Sequence, residues 1–164
     1  MTQEIDLEKY HQLALQKQKE HRKVLANLKK KPPKNLDKIA QEIHDEVFQE
    51  IDCTACANCC KTLGPDFKEA DITRIAKYFK MKLPAFEAEF LQVDEDGDKV
   101  FKSMPCPFLG GNNLCSIYDV RPKACREFPH TDRKKIYQIH HLTIKNTLTC
   151  PAAYLFVEKL KDRL

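Results

Sequence analysis

The chain has 164 residues, 28 Lys and Arg against 24 Asp and Glu, a formal charge of +4, 42% hydrophobic residues and no Trp. That length suits one domain with an appendage and a modest core, while only four Gly beside nine Pro exclude a collagen-like or glycine-rich chain. No 18-residue apolar run is available to cross a membrane, and the opening M-T-Q-E-I-D-L-E-K-Y lacks the basic start and apolar core of a signal peptide, so the expected location is cytoplasmic.

Charge is unevenly placed. Residues 1–38 hold ten Lys or Arg and five Asp or Glu, and the remainder holds 18 and 19. The body is therefore nearly neutral, which argues against nucleic-acid binding by the body itself. Residues 3–30 contain no Gly or Pro and are rich in Glu, Gln, Lys, Leu and Ala, which predicts a long N-terminal helix. Leu7, Tyr10 and Ala14 share one face and Val24, Leu25 and Leu28 form a second apolar patch, but Gln16–Lys23 is polar throughout. Lys29-Lys30-Lys31-Pro32-Pro33 reads as a linker, because consecutive prolines cannot continue a helix. The expected division is a basic helix and linker over 1–34 and a cysteine-bearing domain over 35–164.

Asn35 is placed to cap a second helix at about 36–51, where Leu36, Ile39, Ala40, Ile43, Val47 and Ile51 recur at three- and four-residue steps. His44 on that helix reads as a packed side chain rather than a ligand. After the break at Gly64-Pro65-Asp66, residues 69–80 predict a helix with Ile72, Ile75, Ala76 and Phe79 inward, and Pro84 opens a shorter one anchored by Phe86, Phe90 and Leu91. Asp94, Asp96 and Asp98 resemble a calcium loop only superficially. The glycine falls between the second and third Asp, and Pro105 stands where a bidentate Glu is needed. A turn at Asp96-Gly97 between short strands is the better account. Residues 99–118 predict a hairpin with Cys106 on one arm and Cys115 on the other. Pro122 suits the start of a short helix bearing Cys125, residues 134–148 suggest a strand, and Cys150-Pro151 opens a terminal helix through Leu164.

The informative stretch is I-D-C-T-A-C-A-N-C-C-K-T-L, which places Cys53, Cys56, Cys59 and Cys60 within eight residues. Two-residue gaps let a tight turn aim successive sulfurs at one point, as thiolate-ligated zinc and iron–sulfur sites require. The doubled Cys59-Cys60 spreads the site around the loop or divides it into two. Cys106, Cys115, Cys125 and Cys150 bring the total to eight. In a reducing compartment an even cysteine count favours metal or catalysis over disulfides. Arg121 and Arg126 flank Cys125, where a cation would stabilise thiolates; pairing of Arg121 with Asp119 or Glu127 is the alternative. Tyr118 and Phe128 read as core beside the site, and with eight thiols present His130, His140 and His141 are not needed as ligands.

Three segments in order resemble the YkgJ-type CxxCxxCC family: C-T-A-C-A-N-C-C, then M-P-C-P-F-L around Cys106, then L-C-S-I-Y-D-V-R-P-K-A-C-R-E-F-P from Leu114 to Pro129. The resemblance covers roughly residues 50–155 and leaves the N-terminal helix outside. It implies chelation of zinc or iron by Cys53, Cys56, Cys59, Cys60, Cys106, Cys115, Cys125 and Cys150, and it carries no reaction with it. The expected fold is a small α+β, mainly helical domain around thiolate ligation, with a long N-terminal helix. Three functions are compatible: a metal-binding protein, whose metal is structural or stored and which can present a surface to a protein partner; an iron–sulfur redox or protein-modifying enzyme; or a zinc-ribbon-like module whose basic helix reaches RNA or an acidic partner. No separate acid–base pair, phosphate loop or nucleotide motif is visible to assign catalytic residues, and nothing in the sequence sets an oligomeric state.

Overall fold

A computed structural model describes residues 4–164. In chain order its helices are α1 (Leu7–Lys30), α2 (Leu36–Glu50), α3 (Cys53–Cys56), α4 (Asn58–Thr62), α5 (Glu69–Tyr78), α6 (Leu83–Phe90), α7 (Lys123–Glu127), α8 (His140–Thr147) and α9 (Pro151–Asp162). Short strands β1 (Asp66–Phe67), β2 (Leu91–Val93) and β3 (Lys99–Phe101) accompany them, with 3-10 turns at Tyr118–Val120 and Ile136–Ile139. The protein is thus α+β and mainly helical, with the long N-terminal helix that its composition predicts. The chain divides into two compact units, one formed by the residues up to Cys56 together with Pro129–Leu164, the other by Ala57–Phe128.

In the first unit α9 packs against α1, α2 and α8. Its Ala152, Phe156, Val157 and Leu160 meet Leu25 and Leu28 of α1, Leu36, Ala40, Ile43 and Val47 of α2, and Ile136 and Ile144. Each fully buried Leu, Ile or Phe contributes about 1.5–3 kcal/mol relative to exposure, so this shared face is the main stabilising term of the unit. Asn35 occupies the cap position of α2, although its side chain makes no bond to the first turn. α1 differs from the expectation of an interrupted stripe. Within the polar run Gln16–Lys23, His21 is fully buried between Ala14 and Leu25, and its Nε2 lies 2.7 Å from Glu158 Oε1 on α9. A buried polar group is tolerated where it finds such a partner.

The strand expected over residues 134–148 is instead the Ile136–Ile139 turn followed by α8. Its Ile and Thr content suggests a strand, but Thr143 and Thr147 donate their hydroxyls to the carbonyls of Ile139 and Ile144 at 3.2 and 2.7 Å. Such back-bonding lets hydroxyl side chains reside in a helix. Thr143, Ile144, Asn146 and Thr147 are buried together, and α1 and α9 pack on this helix.

The second unit contains a three-stranded antiparallel sheet in the order β1-β3-β2. Phe67 pairs with Lys99, while Leu91 pairs with Phe101 and Val93 with Lys99. The β2–β3 turn is the one anticipated at Asp96-Gly97. Asp94 Oδ1 accepts the amides of Asp96 and Asp98 at 3.0 and 2.9 Å, and Gly97 takes φ +83°, which a Cβ would oppose. Phe67, Phe86, Phe101 and Phe108 are buried with Ile72, Ile75 and Ala76 of α5. Phe108 sits amid Phe79, Phe90 and Phe101, with ring centroids at 5.2, 5.0 and 5.7 Å. The hairpin expected over 99–118 is reduced to an isolated bridge between Leu109 and Cys115. Pro105 and Pro107 bracket Cys106 and have no amide to give to a ladder, so β3 pairs with β1 and β2 instead.

The His21–Glu158 pair yields a stability prediction. His21→Ala leaves a cavity and removes the carboxylate's partner, so it should destabilise the protein by about 2–4 kcal/mol in urea denaturation. Glu158 is opposed by burial, but His21 and Lys161 hold it below its ordinary value of 4.5. A depressed carboxyl contributes stability that is complete above the unfolded value and is lost as pH falls through the folded one. Glu158→Gln should therefore weaken the dependence of stability on pH below about 4.5, read from melting temperatures across an acid series.

Candidate metal centre

Asp52 begins the cysteine motif by capping α3. Its Oδ1 accepts the Thr54 amide at 2.9 Å and the Thr54 hydroxyl at 2.6 Å, and its carbonyl accepts the Cys56 amide at 3.1 Å. Bonds from Thr54 hold the Asp52 carboxyl below the usual range. The motif folds as two single helical turns rather than one loop, since Ala57 takes a left-handed conformation at φ 49° between α3 and α4. This conformation normally costs an L-residue about 1–2 kcal/mol. Past α4, the amides of Leu63 and Gly64 both bond to the Cys59 carbonyl, at 3.0 and 3.2 Å. Gly64 has φ +65°, a conformation that favours glycine, and a Cβ there would lie 2.9 Å from Met104 Sδ, so the flexible Met104 side chain would have to shift.

All eight cysteines keep their thiols. In the second unit the Cys106 amide bonds to the Cys60 carbonyl at 2.8 Å, and Cys106 and Cys115 both pack on the phenylalanine core. The Leu109 amide bonds to the Cys106 carbonyl at 3.1 Å, and the Gly110 amide to the Leu114 carbonyl at 2.8 Å. The two cysteines anticipated on opposite arms are thus brought together by a turn-rich loop. Cys125 lies on α7, whose start is held by Asp71. That carboxylate is buried; it accepts the amides of Lys68 and Lys123 at 3.0 and 3.1 Å and the guanidinium of Arg74 at 2.9 Å. Arg74 also donates to the carbonyls of Val120 and Arg121 at 3.1 and 2.8 Å.

Asp71 and Arg74 were not among the anticipated site residues, yet they position the Cys125 segment. The available signal was the Asp71–Arg74 pair spaced i, i+3 near the start of the helix E-A-D-I-T-R. Arg121 packs on its own segment. Its guanidinium carbon lies 3.9 Å from the Tyr118 ring centroid and Nη1 donates to the Tyr118 carbonyl at 2.6 Å. Tyr118, expected in the core, is 53% exposed and serves as the surface on which Arg121 lies. Arg126 is exposed on α7, and Phe128 is half-buried.

The thiols of this unit influence one another. Burial pushes the Cys106 thiol up to about 11, with Cys60 and Cys115 adding to the effect. Cys125 is pushed up to about 12 by the protein packed around its sulfur and then by Cys60, Cys106 and Cys115, even though solvent reaches part of the residue. Cys115 is raised by burial and by Cys60, against the pull of Arg121. Cys60 is the exception at about 7, chiefly because the Cys59 thiol hydrogen-bonds to it. In the first unit Cys150 packs on the helical core, and burial followed by the charges of Cys53 and Cys56 pushes its thiol up to about 12. His44 Nδ1 lies 2.7 Å from Thr131 Oγ1, a packed histidine as expected. The His140 and His141 rings lie 3.8 Å apart between centroids and are tilted by 41°, and burial, followed by His141 and Lys29, lowers the pKa of His140.

Among the described residues, no three His, Cys, Asp or Glu side chains already stand so as to hold a metal ion. Within the second unit the charges of Cys60, Cys106 and Cys115 reach Cys125, and within the first those of Cys53 and Cys56 reach Cys150. As donors, thiols whose charged forms repel one another suit a thiophilic cation, which offsets that repulsion.

Comparison with known proteins supplies the context. Residues 52–151 match the family model described as "CxxCxxCC: Putative zinc- or iron-chelating domain". The chain belongs to the CxxCxxCC family. Neither a search of curated proteins nor one of solved structures found a significant match. Among the described residues no helix is long and apolar enough to cross a membrane.

The Asp71 junction is directly testable. Asp71→Ala leaves two amides and a guanidinium without their acceptor and should cost about 2–3 kcal/mol of stability. Alkylation of Cys125 by iodoacetamide should accelerate well before global unfolding, while an unchanged rate at Cys125 would deny Asp71 its positioning role.

Proposed function

We propose that this chain chelates zinc or iron through cysteine thiolates, with the metal serving chiefly to order the cysteine-bearing loops or to be stored by them. The observation that carries this reading is the grouping of Cys60, Cys106, Cys115 and Cys125 within one unit, tied by the Cys106–Cys60 backbone bond, the Leu109–Cys115 bridge and the Asp71 bond to the start of the Cys125 helix. Membership of the CxxCxxCC family supports the same reading. Cys53, Cys56, Cys59 and Cys150 belong to the proposed donor set as well, and Arg121 would temper the negative charge of the loaded thiolates. Thiolate donors select zinc or iron–sulfur chemistry over hard cations such as magnesium or calcium. A bound zinc would supply loop order, whereas a cluster would supply redox chemistry.

Metal content and the absorption spectrum of protein purified without oxygen test this reading. A brown sample with iron and sulfide supports a cluster, and a colourless sample with stoichiometric zinc supports a structural ion. Protein that holds neither, and takes up neither when supplied, overturns the reading. Cys106→Ser should lower metal content and melting temperature together.

The ligands must lose their protons to bind. Because burial pushes Cys106, Cys125 and Cys150 up to about 11, 12 and 12, uptake at neutral pH should release protons and strengthen as pH rises. Zinc titrations in buffers of different ionisation enthalpy would count them.

A further inference from the structure

The eight thiols do not form one continuous set in the fold. The division between the two compact units falls after Cys56, inside the C-x2-C-x2-C-C motif itself. Cys53, Cys56 and Cys150 belong to the first unit, and Cys59, Cys60, Cys106, Cys115 and Cys125 to the second.

Within the first unit, the meeting of three sulfurs follows from helix register. Lys159 on α9 pairs with Glu50 on α2 at 2.9 Å, and Arg163, one turn further along α9, donates to Glu46 at 2.6 Å, one turn back along α2. The two helices therefore run antiparallel. Following α9 back towards its start carries the chain past the end of α2, to the level where α3 begins. Cys150 is the cap residue of α9, so it arrives beside the Cys53–Cys56 turn, and its amide is anchored there on the Asn146 carbonyl at 2.8 Å. The charges of both Cys53 and Cys56 reach its sulfur.

Within the second unit, four sulfurs are drawn together by independent backbone ties. The Cys106 amide bonds to Cys60, the Leu109–Cys115 bridge closes the loop that carries Cys106 and Cys115, and Asp71 and Arg74 hold the segment that leads to Cys125. Four thiolates complete a tetrahedral zinc site without any other donor. Cys59 stands beside this group as the hydrogen-bond partner of Cys60.

We infer that the chain binds two thiophilic ions rather than one, the first held by Cys60, Cys106, Cys115 and Cys125 and the second by Cys53, Cys56 and Cys150. This inference rests on the metal-chelating reading proposed above and divides its donor set. The doubled cysteine then has a reason. The two-residue gap between Cys53 and Cys56 serves one centre, and Cys60, facing the Cys106 loop with Cys59 as its hydrogen-bond partner, lets the motif contribute to a second.

The experiment is zinc titration of the full-length apoprotein under reducing, anaerobic conditions, with bound metal counted by mass spectrometry. Two equivalents should bind. Cys125→Ser and Cys106→Ser should each leave one equivalent, Cys150→Ser and Cys53→Ser should each leave one, and Cys106→Ser combined with Cys150→Ser should bind none. Alkylation mapping of the wild-type chain keeps the test independent of any variant that misfolds. The first equivalent should protect the four-cysteine set as a block, and the second should protect Cys53, Cys56 and Cys150.

Saturation at one equivalent, or protection that spreads over both sets together, overturns the two-site inference and leaves metal chelation standing. A wild-type chain that binds no zinc overturns the two-site inference, and if it also takes up no iron the chelation reading falls with it.

Discussion

Thiols crowded into a small volume oppose their own ionisation. Burial opposes ionisation first, because a charge inside protein is poorly solvated, and each sulfur that loses a proton then makes the next harder to ionise. Cys106, Cys125 and Cys150 all show this, pushed up to about 11, 12 and 12. Cys60 shows the local remedy, a neighbouring thiol that hydrogen-bonds to its charged form. A cation is the general remedy, since it turns mutual repulsion into shared attraction. Much of the chain's architecture can be read as holding such groups near one another at the expense of their protons.

The two units solve that problem with different materials. In the first, an apolar helix does the holding. α9 buries Ala152, Phe156, Val157 and Leu160 among three other helices, and its start carries Cys150 to α3 as a consequence of register. In the second, polar bonds do most of the work near the cysteines. A single buried carboxylate, Asp71, accepts from two amides and a guanidinium, while the phenylalanines around Phe108 fix the loop two residues beyond Cys106. Burial of Asp71 would raise its carboxyl, but these donors hold it below the ordinary value. A carboxylate thus satisfied stays charged and keeps its geometry.

Local patterns in the sequence carried the helices well. The three- and four-residue recurrence of Leu36, Ala40, Ile43 and Val47 identifies α2, and the same rule identifies α5 through Ile72, Ile75 and Ala76. Where the reading departs from the structure, long-range partners decided the outcome. Gln16–Lys23 looks polar throughout because nothing within it shows that His21 will meet Glu158, 137 residues away. Residues 134–148 look strand-like because Ile and Thr favour strands, but packing against α1 and α9 selects a helix. Tyr118 looks like core, yet it lies at the surface beneath Arg121.

The order of residues alone carries the chemistry: eight sulfurs, their spacing, and with them the family. Those properties reside in residue identity and short separations along the chain, which no folding step can alter. Folding then selects which sulfurs become neighbours within each unit. Cys150 is 94 residues from Cys56 and Cys125 is 65 from Cys60 by their sequence numbers, and no local preference acts over such distances. The antiparallel register of α2 with α9, and the bonds of Asp71 and Arg74, bring them close because burying apolar surface and satisfying buried polar groups leaves those segments few other places to lie.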